Sequence, residues 1–222
     1  MNFFGHAAVA SWQTRAPGFV LGAMLPDFAT MIRTRPPGTR HAGMHDGVLF
    51  HHVVDDIFHD APVFRDLSHD ALAFLLERGV TRGAARAVAH IGVEILLDGE
   101  LARDAGAREA YLAAVDAAGE SELGHFIEWR DASERARFAA LREGLESRGI
   151  KREHSSPEAL VYRAARMLNG RPRLALRTEH EPIVRDWARV ARKDVARRAP
   201  ELLAGLEGAL ADRSSRRAAA GS

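Results

Sequence analysis

Apolar positions recur with a helical period along nearly the whole chain, and no stretch shows a sustained two-residue alternation bounded by turn signals. The pattern predicts an all-α protein, a single-domain multi-helix bundle over residues 1–212 with a frayed polar and Ala-rich tail at 213–222. Residues 2–13 read as a short buried helix. Pro17-Gly18 marks a turn before FVLGAMLPDFATMI, a helix interrupted or ended near Pro26. Arg35-Pro36-Pro37-Gly38 is a loop. A helix from about His41 to Asp60 is closed by Ala61-Pro62, and a shorter one begins near Ser68 as its cap. Thr81 caps a long helix to about Asp104, followed by helices at 106–118 and 122–148. Ser155-Ser156-Pro157-Glu158 combines a cap, a first-turn proline and a capping-box Glu, and starts a helix to Leu168. The last helices cover roughly 173–198 and 200–212, separated at Pro200. No internal repeat is visible.

Two helices break this pattern in the same way. From Ala87 to Leu97 every residue is apolar or Gly except His90 and Glu94, which predicts a central helix. His90, Glu94 and Asp98 follow one another at i, i+4, i+8 and share a face. In GVLFHHVVDDIFHD, His51, Asp55 and His59 repeat the spacing within the inward stripe, while His52 and Asp56 point toward solvent. Imidazoles and carboxylates inside a core are costly unless paired or bound to a cation. Two such stripes facing a common interior offer the mixed N/O ligands that Mn, Fe or Zn accept, and His6 and Asp27 add further polar positions in apolar segments. A buried hydrogen-bond network is the plainer alternative. His41, His45 and His69 read as surface residues, and Asp98, before Gly99, serves a helix end as readily as a metal.

Composition narrows the function classes. The 222 residues carry a formal net charge of +1, so no global field argues for nucleic acid or a membrane surface. Arginines gather in the C-terminal third (Arg163, Arg166, Arg171, Arg173, Arg177, Arg185, Arg189) and most histidines precede residue 91. The absence of cysteine removes disulfides, thiolate nucleophiles and Cys-based zinc sites, and fits a cytoplasmic location. The opening MNFFGHAAVASW has no basic start and reads as a structural segment rather than a secretion signal. No apolar run approaches the roughly 18–20 residues of a membrane-spanning helix.

Several segments, in order, resemble the acyl carrier protein phosphodiesterase family, a divergent helical relative of the HD-domain phosphohydrolases. MNFFGHAAVA is similar to its Met-Asn-Phe-Leu-x-His start, and GAMLPDF to its Gly-x-Leu-x-x-Asp-Phe segment. GVLFHHVVDDIFHDAP is similar to its Gly-(x)3-His-(x)3-Asp-(x)6-Pro helix, and GRPRLALRTEHEP with APELLAGL to its closing helices. His6, Asp27, His51 and Asp55 keep the family residue. The family has Asp where His59 stands, and its Asp-(x)3-Asp-His is replaced by His90-(x)3-Glu94-Ile95.

The resemblance implies an HD-domain-like bundle and hydrolysis of the phosphodiester that joins 4′-phosphopantetheine to a serine of holo-acyl carrier protein. The implied cofactor is a divalent metal, Mn²⁺ first, with Fe²⁺ or Zn²⁺ as alternatives. The resemblance draws its ligands from His6, Asp27, His51 and Asp55, and the stripe spacing adds His59, His90, Glu94 and Asp98. Asp55 or Glu94 would accept a proton and a histidine such as His51 would supply one. The departures keep two alternatives open: a metal phosphohydrolase acting on a nucleotide or small phosphoester, and a non-catalytic helical binding protein.

Overall fold

In a computed structural model the protein is all-α, described over residues 1–150 and 155–220. Helices α1 (Phe3–Gln13) and α2 (Pro17–Met31) are followed by a two-residue strand β1 (Gly38–Thr39) and by α3 (Ala42–Asp60), α4 (Pro62–Glu77), α5 (Arg82–Leu101) and α6 (Ala105–Ala117). Strand β2 (Ile127–Glu128), α7 (Ala132–Arg148), α8 (Pro157–Leu168) and the long α9 (Glu181–Ala220) complete the order. No described helix is long and apolar enough to cross a membrane.

The helices gather into two compact units. The first comprises Met1–Val53 and the described residues from Leu101 to 150; the second runs from Val54 to Glu100 and from 155 onward. In the first, α1 is buried over all of Phe3–Ala10 and packs with α2 and α6. Its core is aromatic: Phe3 lies 5.8 Å from Phe28, Phe4 meets Tyr111 edge-on at 5.6 Å, and Phe138 joins Phe28 and Trp129. In the second unit α9 packs against α4 and α8, and the buried residues include Phe58, Phe64, Leu160, Trp187 and Leu202.

The cap signals account for several boundaries. Asn2 caps α1, Asp104 caps α6, and Ser156 accepts from the Ala159 amide at 3.2 Å at the start of α8. Other expectations are corrected. Helix α4 begins at Pro62, not near Ser68, because proline at the first helical position lacks only an amide that is unpaired there anyway. Residues 122–131 are not α-helical, holding only one 3-10 turn at Gly124–Phe126: the Leu123 amide bonds back to the Ala117 carbonyl at 2.9 Å, and Asp131 starts α7 by accepting from the Glu134 amide, also at 2.9 Å. The stretch between them pairs antiparallel with β1, Gly38 opposite Glu128, a ladder too short to show as alternation.

Neither internal proline ends its helix. Pro26 lies inside α2 and Pro200 inside α9, which is one helix from 181 to 220. Pro200 is exposed, so the carbonyl it deprives of a partner lies on the water-facing side. Helix α9 continues to Ala220, through most of the segment expected to fray; residues 221–222 lie outside the described residues.

Candidate metal-binding groups

In the first unit, α1, α2 and α3 contribute one polar side chain each to a single point. His6 is fully buried, His51 is 4% exposed, and the Asp27 side chain keeps 26% of its surface. Glycine makes this possible. A Cβ at Gly22 would overlap the Met44 carbonyl, and one at Gly47 would overlap the Phe19 carbonyl, so α2 and α3 cross with their backbones touching. The crossing brings the Ala23 carbonyl to 2.8 Å from His51 Nδ1.

A carbonyl only accepts, so Nδ1 carries the proton, and the neutral ring keeps its lone pair on Nε2. The His6 ring stacks on His51 at 3.8 Å with 24° between planes, and His6 Nε2 is 3.9 Å from Asp27 Oδ2. One ligand atom from each of His6, Asp27 and His51 lies within 4.8 Å of the others. Two imidazoles and a carboxylate so arranged are a donor set that Mn²⁺, Fe²⁺ or Zn²⁺ accepts. A backbone carbonyl holding the far nitrogen of one ring is the usual support for a ligating histidine.

In the second unit, His59 from α3 and His90 and Glu94 from α5 form another group with ligand atoms within 4.8 Å of one another. His59 Nε2 and His90 Nε2 each lie 3.2 Å from the same oxygen, Glu94 Oε1. The two rings are stacked at 4.9 Å and 21°. His59 Nδ1 is 3.8 Å from Asp55 Oδ1, one turn earlier on α3. Burial works against ionisation of Glu94, yet its carboxyl lies well below the ordinary range, held there within the unit by hydrogen bonds to His59 and His90. The carboxylate is therefore ionised at neutral pH.

Six of the eight residues expected as ligands thus fall into two groups of three. Asp55 stands beside the second group, facing His59. Asp98, 1% exposed, has the Arg163 guanidinium 3.4 Å away, so a cation from α8 shares the place expected for a metal. The expectation that His90 lies on a buried face is corrected: its side chain is 48% exposed, because the apolar girdle of α5 thins toward its N-terminal half. His45 and His69 are exposed as expected, while His41 is half-buried and its Nδ1 accepts from the Met44 amide at 3.2 Å, at the start of α3.

Sequence reasoning missed two features. The Ala23 carbonyl is backbone and leaves no signal in residue types. Glu134, 2% exposed, accepts from Arg130 and Thr34 in the first unit. The Asp131-x-x-Glu134 spacing, a capping signature, was the clue to it. The Arg130 and Thr34 hydrogen bonds outweigh desolvation and lower the Glu134 carboxyl from 4.5 to about 2. No protein-family model, curated protein or solved structure matches the chain.

Proposed function

We propose that the protein is a metal-dependent phosphodiester hydrolase, with holo-acyl carrier protein as substrate and the cytoplasm as its location. The observation that carries the reading is the His6–Asp27–His51 group, in which a backbone carbonyl turns a ligand nitrogen of a buried histidine toward a second histidine and a carboxylate. The resemblance of the motifs around His6, Asp27 and His51 supplies the reaction class, an HD-domain-like scaffold and the substrate. A divalent ion bound there would supply a polarised phosphoryl oxygen and a water acidified toward neutral pH.

The chain's own part is to hold and orient. His51 is locked in one tautomer by Ala23, His6 is held flat against it, and Asp27 brings negative charge at the partly exposed edge. Asp55 and Glu94, the carboxylates expected to accept a proton, both lie in the second unit, where Asp55 faces His59 and Glu94 bonds to His59 and His90. The test is direct: protein loaded with Mn²⁺ is incubated with holo-acyl carrier protein, and the product is weighed. Release of 4′-phosphopantetheine with formation of the apo form is expected. Turnover of small phosphodiesters without the apo form would replace the substrate and keep the chemistry.

A non-catalytic reading is favoured by one observation, that Glu94 is already satisfied by two imidazoles at hydrogen-bond distance. Elemental analysis of untagged protein separates the two. A metal-free protein whose melting temperature ignores Mn²⁺, Fe²⁺ and Zn²⁺ is a hydrogen-bonded binding module, because a ligand bound only by the native state raises stability.

A further inference from the structure

We infer that His59, His90 and Glu94 form a metal site in their own right, an exchangeable site for a borderline divalent transition metal such as Zn²⁺, with Asp55 as the residue that positions His59. This goes beyond the hydrolase reading and does not depend on it, since all four residues lie within the second unit.

Spacing is the first argument. A tetrahedral zinc with bonds of about 2.0–2.1 Å to nitrogen and oxygen sets its ligand atoms roughly 3.3 Å apart. His59 Nε2 and His90 Nε2 each stand 3.2 Å from Glu94 Oε1, so two of the three donor separations already match the edge of such a polyhedron, and the ligand atoms of all three residues lie within 4.8 Å of one another. The cation needs only to enter the face they outline; the Nε2 protons of both rings, which now point at Glu94, are exchanged through water for protons on Nδ1.

The rings are held for this by their surroundings. Phe64 meets His90 edge-on at 5.3 Å and 89° and His59 at 5.3 Å and 68°, and Phe58 backs Phe64 at 4.4 Å. Asp55 Oδ1 lies 3.8 Å from His59 Nδ1, within ion-pair reach, on the side of the ring away from Glu94. Once the metal takes Nε2, the proton of the ring sits on Nδ1 and faces that carboxylate, the support that ligating histidines commonly have.

Donor chemistry and access choose the class of ion. Two imidazoles and one carboxylate suit Zn²⁺ and its transition-metal neighbours, whereas Mg²⁺ and Ca²⁺ prefer oxygen throughout. The ligands grade from a Glu94 side chain 8% exposed through His59 at 33% to His90 at 48%. A site anchored by a buried anion and closed by an exposed histidine has an open coordination position for water, and its metal can leave.

The experiment is a titration of the untagged, metal-stripped full chain with Co²⁺, read by equivalents bound and by the visible band of a four-coordinate N/O site. His90→Ala alters an exposed position on α5, and circular dichroism checks that it folds. The parent is expected to bind one more equivalent than His90→Ala and to show a band that the variant lacks. Asp55→Asn is expected to keep the equivalent with affinity about 10–100-fold weaker. His51→Ala, which breaks the group of the first unit, is expected to retain the band. Equal uptake by the parent and His90→Ala overturns the site. Loss of the band in His51→Ala overturns its independence. Failure of hydrolysis with the band intact strikes only the hydrolase reading.

Discussion

The two histidine–carboxylate groups use similar residue types but are built differently. In the first unit the rings are buried, one is oriented by a backbone carbonyl, and the carboxylate lies at the rim. In the second the carboxylate is buried, one ring is oriented by another carboxylate, and the histidines form the rim. In the first the carboxylate, which is the costly group to bury, keeps a quarter of its surface in water, and the rings are the parts that are enclosed. The second keeps an ionised Glu94 out of water by giving it hydrogen-bond donors from His59 and His90. If both groups bind metal as proposed, the first would act as a fixed centre and the second as a site whose occupancy follows the surrounding metal concentration.

The largest effect expected is on activity. His51→Ala removes a ligand whose tautomer is set by Ala23 and is expected to lower phosphodiester hydrolysis to background, while His90→Ala retains measurable turnover; steady-state rates with Mn²⁺ compare them. Equal loss in both would erase the functional distinction between the groups. Next comes the helix crossing. Gly47→Val places a side chain against the Phe19 carbonyl, and overpacking of this kind costs about 1–3 kcal/mol, with the upper end expected against backbone. The melting temperature is expected to fall by roughly 6–12 °C, at 2–4 °C per kcal/mol for a chain of this size.

Metal addition has a similar but opposite effect. Zn²⁺ at about 100 times its dissociation constant is expected to stabilise the protein by about 2.7 kcal/mol per site. Calorimetry of His51→Ala and His90→Ala then shows which group carries the gain.

The smallest effect contrasts both groups with a purely structural carboxylate. Glu134 has its pKa lowered to about 2, so its stabilising contribution is complete above its ordinary 4.5 and is lost as pH falls from there toward 2. Glu134→Gln is expected to flatten the dependence of melting temperature on pH within that window and to leave metal uptake unchanged.

Much of the fold was legible because helical periodicity is local. Helices α1, α3, α5, α6 and α8 lie close to where apolar spacing and caps put them. The misses occurred where a local rule met a tertiary one. Pro26 and Pro200 break rules of isolated helices, but packing holds α2 and α9 on either side of them. Residues 122–131 have helical spacing, yet a backbone-bonded turn and the pairing with β1 claim them.

For the candidate sites, the residue types and the i, i+4 stripes on α3 and α5 were set by the sequence alone, since a stripe needs only the helical repeat. Which residues meet was decided by tertiary structure. Stripe spacing assigned Asp55 and Asp98 as ligands, whereas packing turned Asp55 toward His59 and put Arg163 beside Asp98. It likewise left His90 at the surface and drew the Ala23 carbonyl onto His51. These outcomes depend on how closely helices cross and how far each is rotated about its axis. Those quantities arise from contacts between distant segments, such as the glycine-lined approach of α2 and α3, and no short stretch of residues specifies them.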